Sequence, residues 1–221
     1  MNLVVPAVPN FPLPAEEYSR LNIIKLENVL RLYLNQLGDT LDAAVSPLDG
    51  GKFLFFPHGA FHSVNTQYAT ADNTPTLIEI NTTDFAVGMV HNNNNGIVVN
   101  QDGVYNYQYS LQLENTDNAE HEAVVWVRVN GVDVPYTASK FDVPRRKSAG
   151  VFGYLIGVAN FYVELNANDY VELWWATSKA YNTVGPVNGI LMPTLPVQTV
   201  PYPHPASPSA VATLTFVSNK L

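Results

Sequence analysis

The chain has 221 residues, 47% of them hydrophobic and only 14% charged, a globular composition with room for one large β domain or two small ones. Its 11 Lys and Arg against 19 Asp and Glu give a formal net charge of −8, the wrong sign for a surface that must neutralise phosphates, which argues against a nucleic-acid partner. There is no cysteine, so disulfides and thiolate metal sites are excluded, and no apolar run approaches the roughly 18–20 residues that span a bilayer. The N-terminal MNLVVPAVPNFPLP has neither the basic n-region nor the apolar h-region of a secretory signal. The expectation is a soluble protein made in a cytoplasm, with no membrane partner.

Residues 1–14 carry Pro6, Pro9, Pro12 and Pro14, each of which removes a backbone donor and fixes φ. This stretch is predicted to be an extended arm. Leu3, Val4, Val5, Val8, Phe11 and Leu13 between the prolines make it more apolar than a solvated linker. They suit a peptide that docks on a partner, although a frayed terminus is the plainer reading.

From Ala15 the period changes, and residues 15–50 are predicted to hold one amphipathic helix, with Pro14, Glu16 and Glu17 suited to its first turn. With Ile23 at heptad position a, Leu30, Leu37 and Ala44 fall at a, Leu26, Tyr33 and Thr40 at d, Leu34 and Leu41 at e, and Val29 at g. This stripe is wider than the seam of a two-stranded coil, so it suits three or more associated helices or a helix packed on a domain. An ordinary helix lying on its own sheet is the simpler alternative. Gly38 weakens the helix by about 1 kcal/mol against Ala. Ser46-Pro47 and Asp49-Gly50-Gly51 end the segment. From Leu21 to Val45 the helix would run about 37 Å at 1.5 Å per residue.

Residues 51–221 alternate short β-rich runs with turn residues, the pattern of a sandwich of roughly eight to ten strands. Phe53 to Phe56, Phe61 to Ser63, Thr76 to Ile80 and Phe85 to Val90 are candidate strands. The clearest strand is Val104 to Leu113, where Tyr105, Tyr107, Tyr109, Leu111 and Leu113 share one face. Asn130-Gly131 between two β-branched runs marks a hairpin with a type I′ turn. Two long strands are predicted on either side of Asn166 to Asp169, and a last one from Ala210 to Val217. Gly185 to Pro208 holds seven of the sixteen prolines and is expected to be a long crossing loop without a central strand.

Taken in order, DGVYNYQYSLQLEN (Asp102 to Asn115), VVWVRVNGVDVP (Val124 to Pro135) and VELNANDYVELWWA (Val163 to Ala176), closed by AVATLTFVSN, resemble the C1q/TNF-like jelly roll, particularly as found in bacteriophage virion proteins. LENVLRLYLNQLGDTLDA (Leu26 to Ala43) resembles a helical segment that often precedes such domains in phage proteins. The resemblance implies a homotrimer and a place in the virion. It makes the fold class mainly β, a jelly-roll sandwich preceded by an arm and one helix. The Pro-rich stretch from Pro186 to Pro208 departs from it, being longer than the family's usual final connection.

Residues that would carry chemistry are few. His58 and His62 would share one strand face, but Pro57 and Gly59 argue against a regular strand there, and no Ca²⁺-loop spacing is present. Glu164 and Glu172 are equidistant from Asn168, so pairing of the two strands would bring the carboxylates together, as a glycoside-cleaving pair requires. No Gly-x-Ser-x-Gly elbow, Walker loop or dinucleotide loop occurs. The expectation is a protein that is not an enzyme and needs no metal or cofactor. Trp174 and Trp175 must face opposite sides of a strand, one into the core and one to a subunit contact or a ligand. Trp126 faces the same choice. With the trimer implied by the resemblance, Ile23, Leu26, Leu30, Tyr33, Leu37, Trp126 and Trp174 form the expected trimer contact. Leu3 to Leu13 form the expected contact with a major capsid protein. Arg145-Arg146-Lys147 is the only basic cluster, either a solvated loop or a contact for an acidic patch.

The function expected is therefore that of a capsid decoration or cement protein on the outer surface of a virion. The alternative is a head-fibre or tail-fibre tip that binds a host receptor or glycan through loops at Asn92 to Gly96, Asn115 to Glu122 or Tyr181 to Asn188. A cellular signalling ligand of the same fold would be expected to carry a secretion signal or membrane anchor.

Overall fold

The structure is a computed structural model that describes residues 6–13, 19–45, 56–92, 96–182 and 188–220. The chain divides into two units, Met1–Phe56 and Pro57–Leu221. In the first, residues 6–13 have no regular secondary structure, and α1 runs Arg20–Val45. Ser19 closes its N-terminus, its carbonyl accepting from the Ile23 amide at 3.1 Å and its hydroxyl from the Asn22 amide at 3.4 Å, so the cap is a serine and no acid stands in the first turn. Pro14, Glu16, Glu17 and the stop signals at 46–51 lie outside the described residues.

The second unit holds β1 (His58–Ser63), β2 (Gln67–Tyr68), β3 (Thr76–Leu77), β4 (Thr82–Val87), β5 (Met89–His91), β6 (Ile97–Val99) and β7 (Gly103–Asn115). It continues through β8 (His121–Val129), β9 (Val132–Asp133), β10 (Ser139–Val143), β11 (Gly153–Leu165), β12 (Tyr170–Thr177), β13 (Ile190–Met192) and β14 (Ala210–Ser218). Two antiparallel sheets result. The first runs β11, β7, β14, β1, β4, with β13 taking over from β14 along the same edge of β7 and β2 pairing β13. The second runs β10, β8, β12, β6, β5, with β9 added to β8 and β3 to β12. The chain passes from sheet to sheet after β2, β3, β4, β6, β7, β10, β11 and β12. This alternation makes the fold a mainly β jelly-roll sandwich with one helix, as the sequence leads one to expect.

Inward faces of the two sheets supply the core. From the first come Tyr105, Tyr107, Tyr109, Leu111, Leu113, Ala212, Leu214 and Phe216, and from the second Val125, Val127, Val171, Leu173 and Trp175. The five residues predicted to share a face of β7 are all buried, because a strand's side chains alternate and the opposite face carries Asn106, Gln108, Ser110 and Gln112. Tyr105 stacks edge-on against Phe216 at 5.7 Å and donates its hydroxyl to the Gln101 carbonyl at 2.8 Å. The Asn130-Gly131 hairpin is as expected, with φ of 52° and 77° and the Val129–Val132 pair closing it.

Three local expectations are corrected. His58–Ser63 is a regular strand, because Pro57 lies just outside it and Gly59 points inward, where an added Cβ would sit 2.6 Å from the Phe61 ring. The predicted run Phe85 to Val90 is two strands broken at Gly88, whose φ of 66° turns the chain between sheets. Within the Pro-rich stretch, Ile190–Met192 is proline-free and forms the buried β13, while Leu195–Ser207 and Gln198–His204 bridges fold the following residues into a hairpin.

Candidate functional site

Glu164 and Glu172 do not form the carboxylate pair that the sequence suggests. Residues Asn166 to Asp169 join β11 to β12 tightly, with the Asp169 carboxylate accepting from the Asn166 amide at 2.7 Å and from Asn130 Nδ2 at 2.8 Å. They join strands of different sheets. Glu164 is registered against Val104 and Glu172 against Arg128, so the two carboxylates do not pair. Among the described residues no three His, Asp or Glu side chains gather to hold a metal ion. His62 Nδ1 instead contacts Asp84 at 3.0 Å and His121 Nε2 contacts Asp117 at 2.8 Å. His121 is the main cause that holds the Asp117 carboxyl below its ordinary value.

Trp126 and Trp174 lie opposite each other on β8 and β12, on the outward face of the second sheet, while Trp175 is fully buried. Arg128 fills the space beside them. Its guanidinium lies 3.9 Å from the Trp174 ring centroid, and it shares the Asp133 carboxylate with the Trp126 indole N–H, at 2.6 Å from Trp126. Arg128 first, then Trp126, holds the Asp133 carboxyl below its ordinary value. The Trp174 indole N–H donates to Glu172 at 3.3 Å. One face of Trp174 is thus covered from within the chain, and both indole donors are engaged. That arrangement disfavours a sugar-stacking platform at Trp174.

Exposed apolar side chains gather elsewhere. In the arm, Val8 (79%) and Leu13 (86%) are the most open and Phe11 is half exposed, while Leu3, Val4 and Val5 lie outside the described residues. On α1, Ile23, Leu26 and Leu30 are exposed, and Tyr33 and Leu37 are half-buried. Leu32, Leu34 and Leu41 add to the bare apolar surface of the helix.

One apolar strip of the sandwich was not among the residues singled out from sequence. It is the outward face of β11, where Tyr154, Ile156, Val158 and Tyr162 are each half exposed or more. Val158, Ser110 and Val211 lie in one row across β11, β7 and β14, and with Gln108, Tyr109 and Thr213 they line a shallow groove of about 160 Å³. Burial, then the Glu114 carboxylate, pushes the Tyr154 hydroxyl up to about 12. Glu114, its cross-strand neighbour, is held above its ordinary value by burial. The signal was present in the sequence: GYLIGVANFYV is apolar at both odd and even positions, which a strand with one wet face is not.

No protein family matches the sequence, and no curated protein matches it. Among solved structures the chain is similar to the Eiger TNF of S. frugiperda, with a TM-score of 0.46 and 9% sequence identity over 75% of this chain and 95% of that one.

Proposed function

We propose that the chain is a homotrimeric structural protein of a bacteriophage particle, not an enzyme, which binds the major capsid shell from outside as a decoration or cement protein. The observation that carries the assembly is the density of exposed apolar side chains along three surfaces, the arm, the helix and the outward face of β11, although others are scattered over the sandwich. A soluble monomer rarely leaves such contiguous patches bare. The helix stripe and the β11 face suit contact between copies, and the arm suits docking on a different protein. Proline spacing reduces the ordering entropy lost when the arm docks. A modest arm contact made three times from one trimer gains effective concentration, so no single strong site is required. Placement in a virion rests on the resemblance of the β-rich stretches and the helix to phage proteins.

Light scattering on the purified chain should give three copies, and a cryo-electron reconstruction of the virion should place trimers over the shell with residues 1–45 on the major capsid protein. A monomer in solution, or copies confined to the tail, would overturn the decoration reading. One observation favours a fibre-tip role instead: the hairpin between Leu195 and Ser207 exposes Val197, Val200 and Tyr202 near its tip. The same reconstruction decides, since a tip must point these side chains away from the shell.

A further inference from the structure

Seven Lys and Arg side chains belong to residues 57–221. Arg128 pairs with Asp133, Lys140 with Glu122 and Lys179 with Asp72, and Lys220 donates to Asn166. The remaining three are consecutive: Arg145, Arg146 and Lys147. Among the described residues none of them has a side-chain hydrogen bond or ion pair. Arg146 adds a small share to the lowering of the Asp117 carboxyl, but that carboxylate is already bonded by His121 and by the Asn118 amide at 2.6 Å.

Backbone bonds, not these cations, fix the connection between β10 and β11. The Arg146 amide donates to the Asp117 carbonyl at 2.8 Å and the Lys147 amide to the Val151 carbonyl at 2.8 Å. Gly150, at φ 77°, turns the chain, and Gly153 packs so close to Pro144 that an added Cβ would lie 1.8 Å from its carbonyl oxygen. On this frame Arg145, Arg146 and Lys147, with Asn118 from the β7–β8 connection, line a concavity of about 580 Å³. Three positive side chains around one hollow, with no acid satisfying them, repel one another until an anion enters.

We infer that this hollow binds a compact, multiply charged oxyanion of the phosphoryl type. Two guanidinium forks match tetrahedral oxygens, and the ammonium adds a point charge. No aromatic or aliphatic side chain lines the hollow, so an acidic peptide finds no apolar anchor there. Size discriminates among anions. A small anion lies within about one Debye length, roughly 8 Å, of the three cations, whereas an extended polyanion also meets the field of a chain with net charge −8. This site is independent of the capsid reading.

Calorimetry on the full chain with inorganic pyrophosphate at low ionic strength tests the inference. The expected result is saturable binding at one ion per chain, weakened about tenfold or more in an R145A/R146A variant and less so in R145K/R146K. Lys140→Ala, whose partner is Glu122, should leave the affinity unchanged. Circular dichroism should show the same fold in every variant, since Lys140 and Arg145 are exposed and Arg146 is only half-buried. Heat that fails to saturate, or that persists in R145A/R146A, would mean an adventitious ion only and overturn the site. Citrate binding as tightly as pyrophosphate would overturn the phosphoryl assignment, and a DNA oligonucleotide binding more tightly would overturn the compactness argument.

Discussion

Gly59 owes its place to a missing methyl group. Its backbone lies against the Phe61 ring and the Met89 sulfur, at 2.6 and 2.9 Å from where a Cβ would stand. Gly59→Ala should therefore force that ring to shift and destabilise the sandwich by about 1–3 kcal/mol, read from urea unfolding. Glu114 is a residue of the opposite kind, tolerated rather than required. Burial raises its carboxyl, so its folded value lies above its unfolded value of about 4.5. The stability tied to its protonated form is complete below the unfolded value and is lost as pH rises through the folded one. Glu114→Gln, which cannot ionise, should then raise the melting temperature at pH 7 and change it little at pH 4. An equal shift at both pH values would mean that packing, not charge, governs this position.

Among the elements, α1 offers the plainest experiment. Gly38 is at heptad position b, off the apolar seam, and a Cβ there meets nothing within 4 Å. Gly38→Ala should stabilise the helix by about 1 kcal/mol, visible as a raised helical signal and melting point in circular dichroism. Other elements show how far a sequence can be read. Strand β7 was legible almost to its ends because the clean alternation from Gly103 to Leu113 leaves one solution for its faces. Strands β2, β6 and β13 were not, since two or three residues contain barely one period of alternation. The turn at Asn166 to Asp169 was legible as a turn but not as a change of sheet, because the same Asn and Asp chemistry closes a hairpin or a crossing. That ambiguity alone produced the false pairing of Glu164 with Glu172. The surfaces divide in the same way. The arm and helix were visible as apolar residues in segments that could not bury them, whereas the outward face of β11 was hidden in a run that looks wholly internal.

At the scale of the whole molecule, assembly can be separated from folding by choosing side chains that the monomer leaves bare. Ile156→Glu with Val158→Glu adds two charges to the outward face of β11 without touching the core. A trimer built on that face should dissociate to folded monomers in light scattering, whereas Leu30→Asp with Leu37→Asp should do so only if the helices hold it. Deleting residues 1–14 should leave the trimer intact and abolish capsid binding in a co-sedimentation assay; a lost trimer would make the arm part of the self-contact. The position of β14 has a temporal consequence. It lies between β7 and β1 in the first sheet, although the chain makes it long after both. At roughly 5–20 residues per second, a ribosome leaves these two edges unpaired for on the order of ten seconds. Nascent chains are then open to joining one another at the wrong edge, and the yield of sound protein should rise when synthesis is slowed by cold or when a holding chaperone occupies β1 and β7 until Ala210–Ser218 emerges.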